Sequence, residues 1–399
     1  MKSREGATIF HGRNPNALFI DVLKTILNEG HDVAPRGMPT KELLGVTTVI
    51  DNPRERLLTM PSRRTNAVFN LLEALWILAG LRAVRYLAPY NKQFLDFSLD
   101  IDPTPQPADF YKDSALRDAH TNAPYGYRLR HSDPEIDQFK HVVESLKADR
   151  DSRQAVCALW DPHLDSYASK VKDRPCNTTL YFKIRDGKLH LTVSNRSNDV
   201  TFGLYNVNFI QFTIIQEALA SILGVPVGTY RHYSDSLHAY TTSPWLGVHE
   251  RVLVGRPYDF YTECSAKTKT LAFRDLSDMD IKLSCLFANI DMLNAAYFEG
   301  QDIRNFSVPT TNEANLVGVY MVGTLLLAKA FFLMRQRSYM HAAETIDTAF
   351  LYVPDFAAMA MCQLKEYMNA REYKFVLNDF RLVFMDKHLK EMAPLFQDE

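Results

Sequence analysis

A cysteine that follows a proline, with arginines close to it in sequence and across a predicted hairpin, has the makings of a nucleophile. In "KDRPCNTTLYFKIRDGKLHLTVSNRSND" (172–199), Cys176 has Arg174 two residues before it and Arg196 twenty residues after it. The thiolate is the reactive form of cysteine, and a neighbouring cation lowers a thiol pKa. A lone cysteine in a strand-rich stretch is equally at home as a small core residue. Glu73 is the one charge in "NAVFNLLEALWILAG" (66–80). A buried carboxylate is costly unless it is paired or used, and one that is used can shuttle protons.

The remaining candidates are cationic or hydrogen-bonding. Arg36 in "APRG", Arg153 in "DSRQ" and Arg196-Ser197 in "NRSND" suit phosphate, because guanidinium forks and hydroxyls at turns match its oxygens. Asn208 ends "GLYNVN", and its carboxamide offers one donor and one acceptor, which matches the O4 and N3–H of uracil, whereas cytosine presents the opposite sense. In "SDSLHAY", His238 and Tyr240 occupy alternate positions. In an extended strand they point the same way, and together they can hold a sugar hydroxyl.

These residues must be placed by the elements around them. Residues 15–30 carry apolar residues at helical spacing and end on a glycine, and residues 66–80 predict a helix that is apolar nearly all round and therefore buried. Residues 38–64 read as short strands and turns. Residues 98–135 are rich in loops, and "PEIDQFKHVVESLKADRDS" predicts an amphipathic helix. From 153 to 193 the pattern turns to strands, with Asp186-Gly187 as a two-residue hairpin signal and Leu180, Phe182 and Ile184 alternating onto one face. Residues 206–224 return to helical periodicity, 225–240 follow as strand and loop, and the last third from about 275 is largely helical with no chemical motif.

Composition is that of a soluble globular protein: 399 residues, 46% hydrophobic, 23% charged, net charge −2. Nothing in it suggests direct nucleic-acid binding, so a polyanion site must be local. Five cysteines (157, 176, 264, 285, 362) are widely spaced, with no short zinc spacing. With no secretory signal at "MKSREGATIF" this predicts a reducing, cytoplasmic setting and no metal. "LVGVYMVGTLLLAKAFFLM" (316–334) contains Lys329 and barely reaches a span of about 20 residues, so a buried or dimer-facing helix is expected rather than a membrane anchor.

Taken in order over residues 20–240, the early-loop Arg36, "EALWILAG" with Glu73, "APYGYRLR" with Tyr125, "DSRQ" with Arg153, "PCN", "NRSND", the turn ending in Asn208 and "SLHAY" resemble the thymidylate synthase superfamily. The resemblance implies an α+β fold with a large mixed β-sheet packed by helices and the sheet at a dimer interface. It divides the chain into a catalytic domain (1–270) and a mainly helical extension (271–399). It also implies that Cys176 adds to C6 of a pyrimidine nucleotide monophosphate, with Glu73, Tyr125 and Arg196 assisting. Arg36, Arg196 and Ser197 would hold the phosphate together with Arg153 from the other subunit of an obligate homodimer. Asn208 would read the base, His238 and Tyr240 the sugar 3′-hydroxyl, and Asp199 the pterin of the co-substrate 5,10-methylenetetrahydrofolate.

Addition of a thiolate at C6 makes C5 nucleophilic, so C5 can take up a one-carbon unit. Hydride then gives a methyl product and water a hydroxymethyl product, and exclusion of water decides between them. Synthases of the family exclude it with a tryptophan after the glutamate helix and a short apolar C-terminal tail. Here "YNKQFLDFSLDID" has only Leu95 and Phe97 near that position, and the chain ends in "MAPLFQDE". Gln154 and Asn177 also replace the usual second arginine and histidine. The variants look most like the phage branch of the family, which makes modified pyrimidines for viral DNA. The expected reaction is therefore hydroxymethylation of dUMP at C5, with thymidylate synthesis, dCMP or CMP hydroxymethylation and a catalytically idle dimeric scaffold as alternatives. Because "GLYNVN" is one residue longer than the synthase turn, Val207 is the alternative base reader.

Overall fold

A computed structural model describes residues 8–131, 133, 136–166, 171, 173–309, 318–378 and 382–396, with the side chains of Phe97 and Asn378 excepted. The chain forms two compact units. The first comprises Met1–Arg63, Arg128–Ser169 and Pro175–Pro257; the second comprises Arg64–Tyr127, Lys170–Arg174 and Tyr258–Glu399.

The first unit is built on a mixed sheet of eight strands: β1 Thr8–Gly12, β2 His31–Val33, β3 Thr40–Ile50, β4 Val156–Ala158, β5 Asn177–Arg185, β6 Lys188–Asn195, β7 Asn198–Asp199 and β8 Val227–Tyr240. The order is β1-β3-β8-β6-β5-β4, with β2 on β3 and β7 on β8. β1 runs parallel to β3, and β6 and β7 parallel to β8, while the β3–β8, β4–β5 and β5–β6 pairs are antiparallel.

β8 is the surprise of this unit. Residues 225–240 were expected to divide into strand and loop, yet Val227–Tyr240 is one continuous strand that pairs with β3 along most of its length. Its polar residues are accounted for by the sheet: His232 and Ser234 are buried, whereas Arg231, Tyr233 and Asp235 face out. Alternation of this kind is what a sheet covered on one face requires.

The β5–β6 hairpin follows the sequence closely. Asp186 and Gly187 adopt φ of 50° and 68°, the left-handed pair that a tight two-residue turn demands. Leu180, Phe182 and Ile184 line the buried face. The helix Phe209–Leu223 covers that side, buried along nearly its whole length and ended by Gly224 at φ 66°. The Gln216 side-chain amide donates to the carbonyls of Leu189 (2.8 Å) and Gly228 (3.2 Å), tying the helix to β6 and β8. The opposite face leaves Ile9, Leu44 and Tyr233 exposed.

The second unit gathers the glutamate helix, Ala67–Leu78, with the long helix Leu276–Phe298 and the helices Val319–Arg335, Tyr339–Ala349 and Pro354–Leu364. Every residue of Ala67–Leu78 is buried, as its all-round apolar pattern predicts. Asn66 caps it, accepting from the Phe69 amide at 3.1 Å and donating to the Tyr90 carbonyl at 3.0 Å. Tyr90 in turn packs against Phe331 and Phe332 and donates to Asn294 at 2.8 Å. The C-terminal helices therefore share one core with residues 64–127.

Of the hydrophobic segment 316–334, residues 316 and 317 lie outside the described residues, and the rest forms part of this core. The helix Val319–Arg335 is buried along most of its length, and Lys329 gives its ammonium protons to the Arg304 and Phe306 carbonyls at 3.2 and 2.8 Å. Among the described residues no helix is long and apolar enough to cross a membrane. The segment after the glutamate helix forms the short helix Gln93–Ser98.

Gly126 lies where the helix Tyr125–Arg130 meets the end of the glutamate helix. A Cβ there would stand 2.2 Å from the Ile77 carbonyl oxygen, a backbone atom that cannot step aside. Gly126→Ala is expected to destabilise the protein by about 1–3 kcal/mol through overpacking, read as a lower urea midpoint at unchanged slope.

Candidate active site

In the first unit Cys176, Arg196 and Ser197 meet at the open end of the β5–β6 hairpin. Antiparallel pairing brings Asn177 opposite Asn195, so the two ends of the motif that look distant in the sequence are neighbours in space. The Arg196 amide donates to the Cys176 carbonyl at 2.9 Å, its Nε donates to the Pro175 carbonyl at 2.9 Å, and its Nη2 approaches the Cys176 sulfur at 3.8 Å. The guanidinium also lies over the Trp160 ring, 5.8 Å from its centroid. Cys176 is half-buried, unlike Cys157, which is fully buried in the sheet.

Asn177 is wholly buried and accepts from the Asn195 side-chain amide at 2.9 Å. The Asn195 oxygen accepts from the Ser197 backbone amide at 2.7 Å. The residue after the cysteine thus clamps the hairpin mouth and fixes the bend that carries Arg196 and Ser197. That bend falls between β6 and β7, at the point where the chain leaves β8 for two residues.

β7 then sets Asp199 beside His238 in parallel register. His238 and Tyr240 share one side of β8, their rings edge to face at 5.3 Å, and Tyr240 stacks on Trp245 at 5.8 Å. Burial raises the Tyr240 phenol pKa, with the charge of Asp199 and the nearby Cys176 adding to the rise and Arg36 opposing it. Those four groups therefore lie within electrostatic reach of one another. Arg36 is exposed at the turn between β2 and β3, in a left-handed conformation at φ 54°, unusual for a residue with a side chain. Arg153 is exposed just before β4.

Asp199 caps the next segment, Val200–Asn208, through the Phe202 amide. Among the described residues its second oxygen, Oδ2, is buried without a hydrogen-bond partner. Arg63 donates to the Thr201 carbonyl at 2.9 Å, and Thr201 bonds His249 at 2.8 Å. Burial pulls Arg63 down to about 10, partly offset by Asp199, and also lowers His249.

Val200–Asn208 is a π-helix. A π-turn accommodates one residue more than an α-turn, so the stretch that ends in "GLYNVN" is wound more widely than the helix Phe209–Leu223 that follows it. Its last residue, Asn208, is buried and donates to Asn198 Oδ1 at 3.1 Å. Gly203 permits this contact, since a Cβ would lie 2.8 Å from that same oxygen. Asn198 donates to His232 Nε2 (3.1 Å) and to Ser234 (3.0 Å), and His232 Nδ1 meets the Tyr230 hydroxyl at 2.7 Å. Sequence reasoning missed Asn198, His232 and Trp160; Asn198 sits in "NRSND" and His232 two residues before "SDSLHAY", but only the parallel packing of β6 and β7 on β8 makes them partners.

In the second unit, Phe69, Glu73 and Trp76 recur at i, i+4 and i+7, one face of the helix. Phe94 packs against both aromatics of that face, 5.9 Å from Phe69 and 6.5 Å from Trp76. The residue beside the glutamate face is thus Phe94. Leu95 is buried with Val84, Ala88, Leu99 and Phe110, and the Phe97 side chain and residues 397–399 lie outside the described residues. Tyr125 begins the short helix next to Gly126 and is half-buried.

Burial pulls the fully buried His232 down to about 3. The unfolded chain, with a histidine near 6.5, takes up a proton that the folded state refuses. Stability from this residue is complete above about pH 6.5 and is lost as pH falls toward 3. Between pH 7 and pH 5 the loss amounts to about 2 kcal/mol at roughly 1.36 kcal/mol per pH unit. Urea unfolding at the two pH values should show that much less pH dependence in His232→Gln.

Comparison with known proteins places this geometry in a family. The thymidylate synthase model matches residues 17–278. The deoxyuridylate hydroxymethyltransferase of Bacillus phage SP01 is 37% identical over 298 residues, covering 72% of this chain and 73% of that protein. Proteins of the same name from Pseudomonas phage M6 (37% over 196 residues) and Delftia phage PhiW-14 (29% over 200 residues) align with 49% and 48% of this chain, and the chain spans 50% of each. The chain belongs to the thymidylate synthase family, a family of one-carbon transferases.

Proposed function

We propose that the protein is a deoxyuridylate hydroxymethylase, which converts dUMP to 5-hydroxymethyl-dUMP with 5,10-methylenetetrahydrofolate as co-substrate. The observation that carries this reading is the Arg196 guanidinium set on the Cys176 sulfur at 3.8 Å, in a chain whose phage relatives bear that activity in their names. A cation there favours the thiolate, and the thiolate adds to C6 of the pyrimidine. C5 then becomes the nucleophile that accepts the one-carbon unit.

The other roles follow the same layout. Arg36, Arg196 and Ser197, with Arg153 of the partner subunit, hold the phosphate. His238 and Tyr240 hold the 3′-hydroxyl. Asn208 keeps its carboxamide oxygen and one amide proton for uracil after giving the other proton to Asn198. Asp199 fits a pterin, because its buried, unpartnered Oδ2 calls for N–H donors; the folate supplies the one-carbon unit. Glu73 and Tyr125 order water and move protons. Water, rather than hydride, completes the product where the family tryptophan is replaced by Phe94 against the glutamate face.

On this reading residues 1–270 carry catalysis, and 271–399 form an extension that supports the segment 64–127. A second copy covers the open sheet face with Ile9, Leu44 and Tyr233, making the homodimer that the shared phosphate site needs. Light scattering should give the mass of two chains, and Tyr233→Asp should shift it toward one.

Incubation with dUMP or dCMP and methylenetetrahydrofolate, followed by mass spectrometry, is expected to give 5-hydroxymethyl-dUMP and tetrahydrofolate from dUMP alone. dTMP with dihydrofolate, or turnover of dCMP, overturns the reading. Cys176→Ala should abolish product with its circular dichroism unchanged. Asp199→Asn keeps the cap on Phe202 but loses the charge, so the KM for folate should rise about tenfold or more while that for dUMP holds.

A further inference from the structure

The second unit contains a cluster of side chains that the reaction above does not use. Cys264 ends the short helix Phe260–Glu263, and His388 and Glu391 flank the start of the last helix, Leu389–Phe396. Their sulfur, imidazole nitrogen and carboxylate oxygen lie within 4.8 Å of one another. Cys264 and His388 are buried, and the Glu391 side chain is one-third exposed.

The neighbours hold these groups in place. The Ser265 amide donates to Glu391 Oε2 at 2.8 Å, and the Ser265 hydroxyl lies 3.0 Å from Oε1 and 3.2 Å from His388 Nδ1. His388 Nδ1 is itself 3.1 Å from Glu391 Oε2. A tetrahedral zinc ion with these donors requires ligand atoms about 3.5 Å apart, so the cluster needs to contract by at most about 1.3 Å. Sulfur and nitrogen donors argue against calcium and magnesium, which take oxygen.

We propose that Cys264, His388 and Glu391 bind a zinc ion that fastens the last helix to the segment 258–265. The Cys264 S–H bond breaks and an S–Zn bond forms, releasing one proton to solvent. Neutral His388 coordinates through one ring nitrogen and keeps its proton on the other. Thiolate and carboxylate then balance the dication, so a half-buried site becomes neutral. Water takes the fourth position beside the exposed edge of Glu391, while Ser265 orients the carboxylate. Short-spacing rules overlook the site because its cysteine is far in sequence from "HLKE", where histidine and glutamate are three residues apart.

The full chain, dialysed against a zinc buffer, should retain one zinc ion per chain by elemental mass spectrometry, and Cys176→Ala should retain it too. Cys264→Ser should lose it. Cobalt substitution should give a near-ultraviolet thiolate-to-cobalt band that Cys264→Ser abolishes. If Cys264→Ser fails to fold, Glu391→Gln is read instead, and it should weaken zinc affinity beyond the roughly 10–100-fold cost of losing an outer partner. No retained zinc, retention unchanged in the folded variant, or cobalt binding without the thiolate band overturns the proposal. The site shares no residue with the proposed reaction, so either can fail without the other.

Discussion

The antiparallel pairing of β5 with β6 is the constraint on which the site depends. It converts a sequence separation of twenty residues into a 3.8 Å approach between Cys176 and Arg196. The pairing is sealed where it matters by the buried Asn177–Asn195 amide contact. Breaking that contact would leave a buried polar group unsatisfied, at a cost of about 1–3 kcal/mol. Parallel pairing of β6 and β7 with β8 then carries the geometry sideways and puts Asp199 beside His238. The Cys176 thiol, the Arg196 guanidinium, the buried Asp199 oxygen and the His238–Tyr240 pair thereby take their positions from the four strands β5, β6, β7 and β8.

The π-turn answers a different need. An inserted residue in an α-helix would rotate everything after it by about 100°, and the fully buried helix Phe209–Leu223 could not tolerate such a change. The wider turns of Val200–Asn208 seat more residues per turn than an α-helix, and Asp199, Arg63 and the Thr201–His249 pair anchor their backbone. The same turn delivers Asn208 to Asn198, and through it to the neutral His232. Neutrality matters here: an uncharged imidazole accepts from the Asn198 amide, which leaves the Asn198 oxygen free to orient Asn208.

Sequence patterns with a strict local cause were legible. The Asp186-Gly187 turn, the alternation of Leu180, Phe182 and Ile184 and the buried helix around Glu73 follow from φ preference and periodicity alone. β8 was harder, because His232, Ser234 and His238 look like loop residues until the neighbours that satisfy them are known. The helix Gln93–Ser98 is too short for periodicity to announce, and Leu95, one of the two residues near the family's tryptophan position, is core. For the candidate site, residue types and order were legible, but partners were not. Asn177 was noted only for the histidine it replaces, whereas burial makes it the clamp of the hairpin mouth.

The C-terminal helices carry no catalytic motif, yet their packing has a consequence for Glu73. Tyr90 lies between the cap of the glutamate helix and Phe331, Phe332 and Asn294, so residues more than two hundred positions apart share one core. A helix apolar nearly all round buries every side and needs partners on every side. Residues 276–364 supply part of that surround, and Phe94 closes the face that Phe69 and Trp76 share with Glu73. A carboxylate held in such a setting has few alternative rotamers. The C-terminal helices thus act on the proposed chemistry through rigidity: they limit where the Glu73 carboxylate, the group proposed to order water, can go.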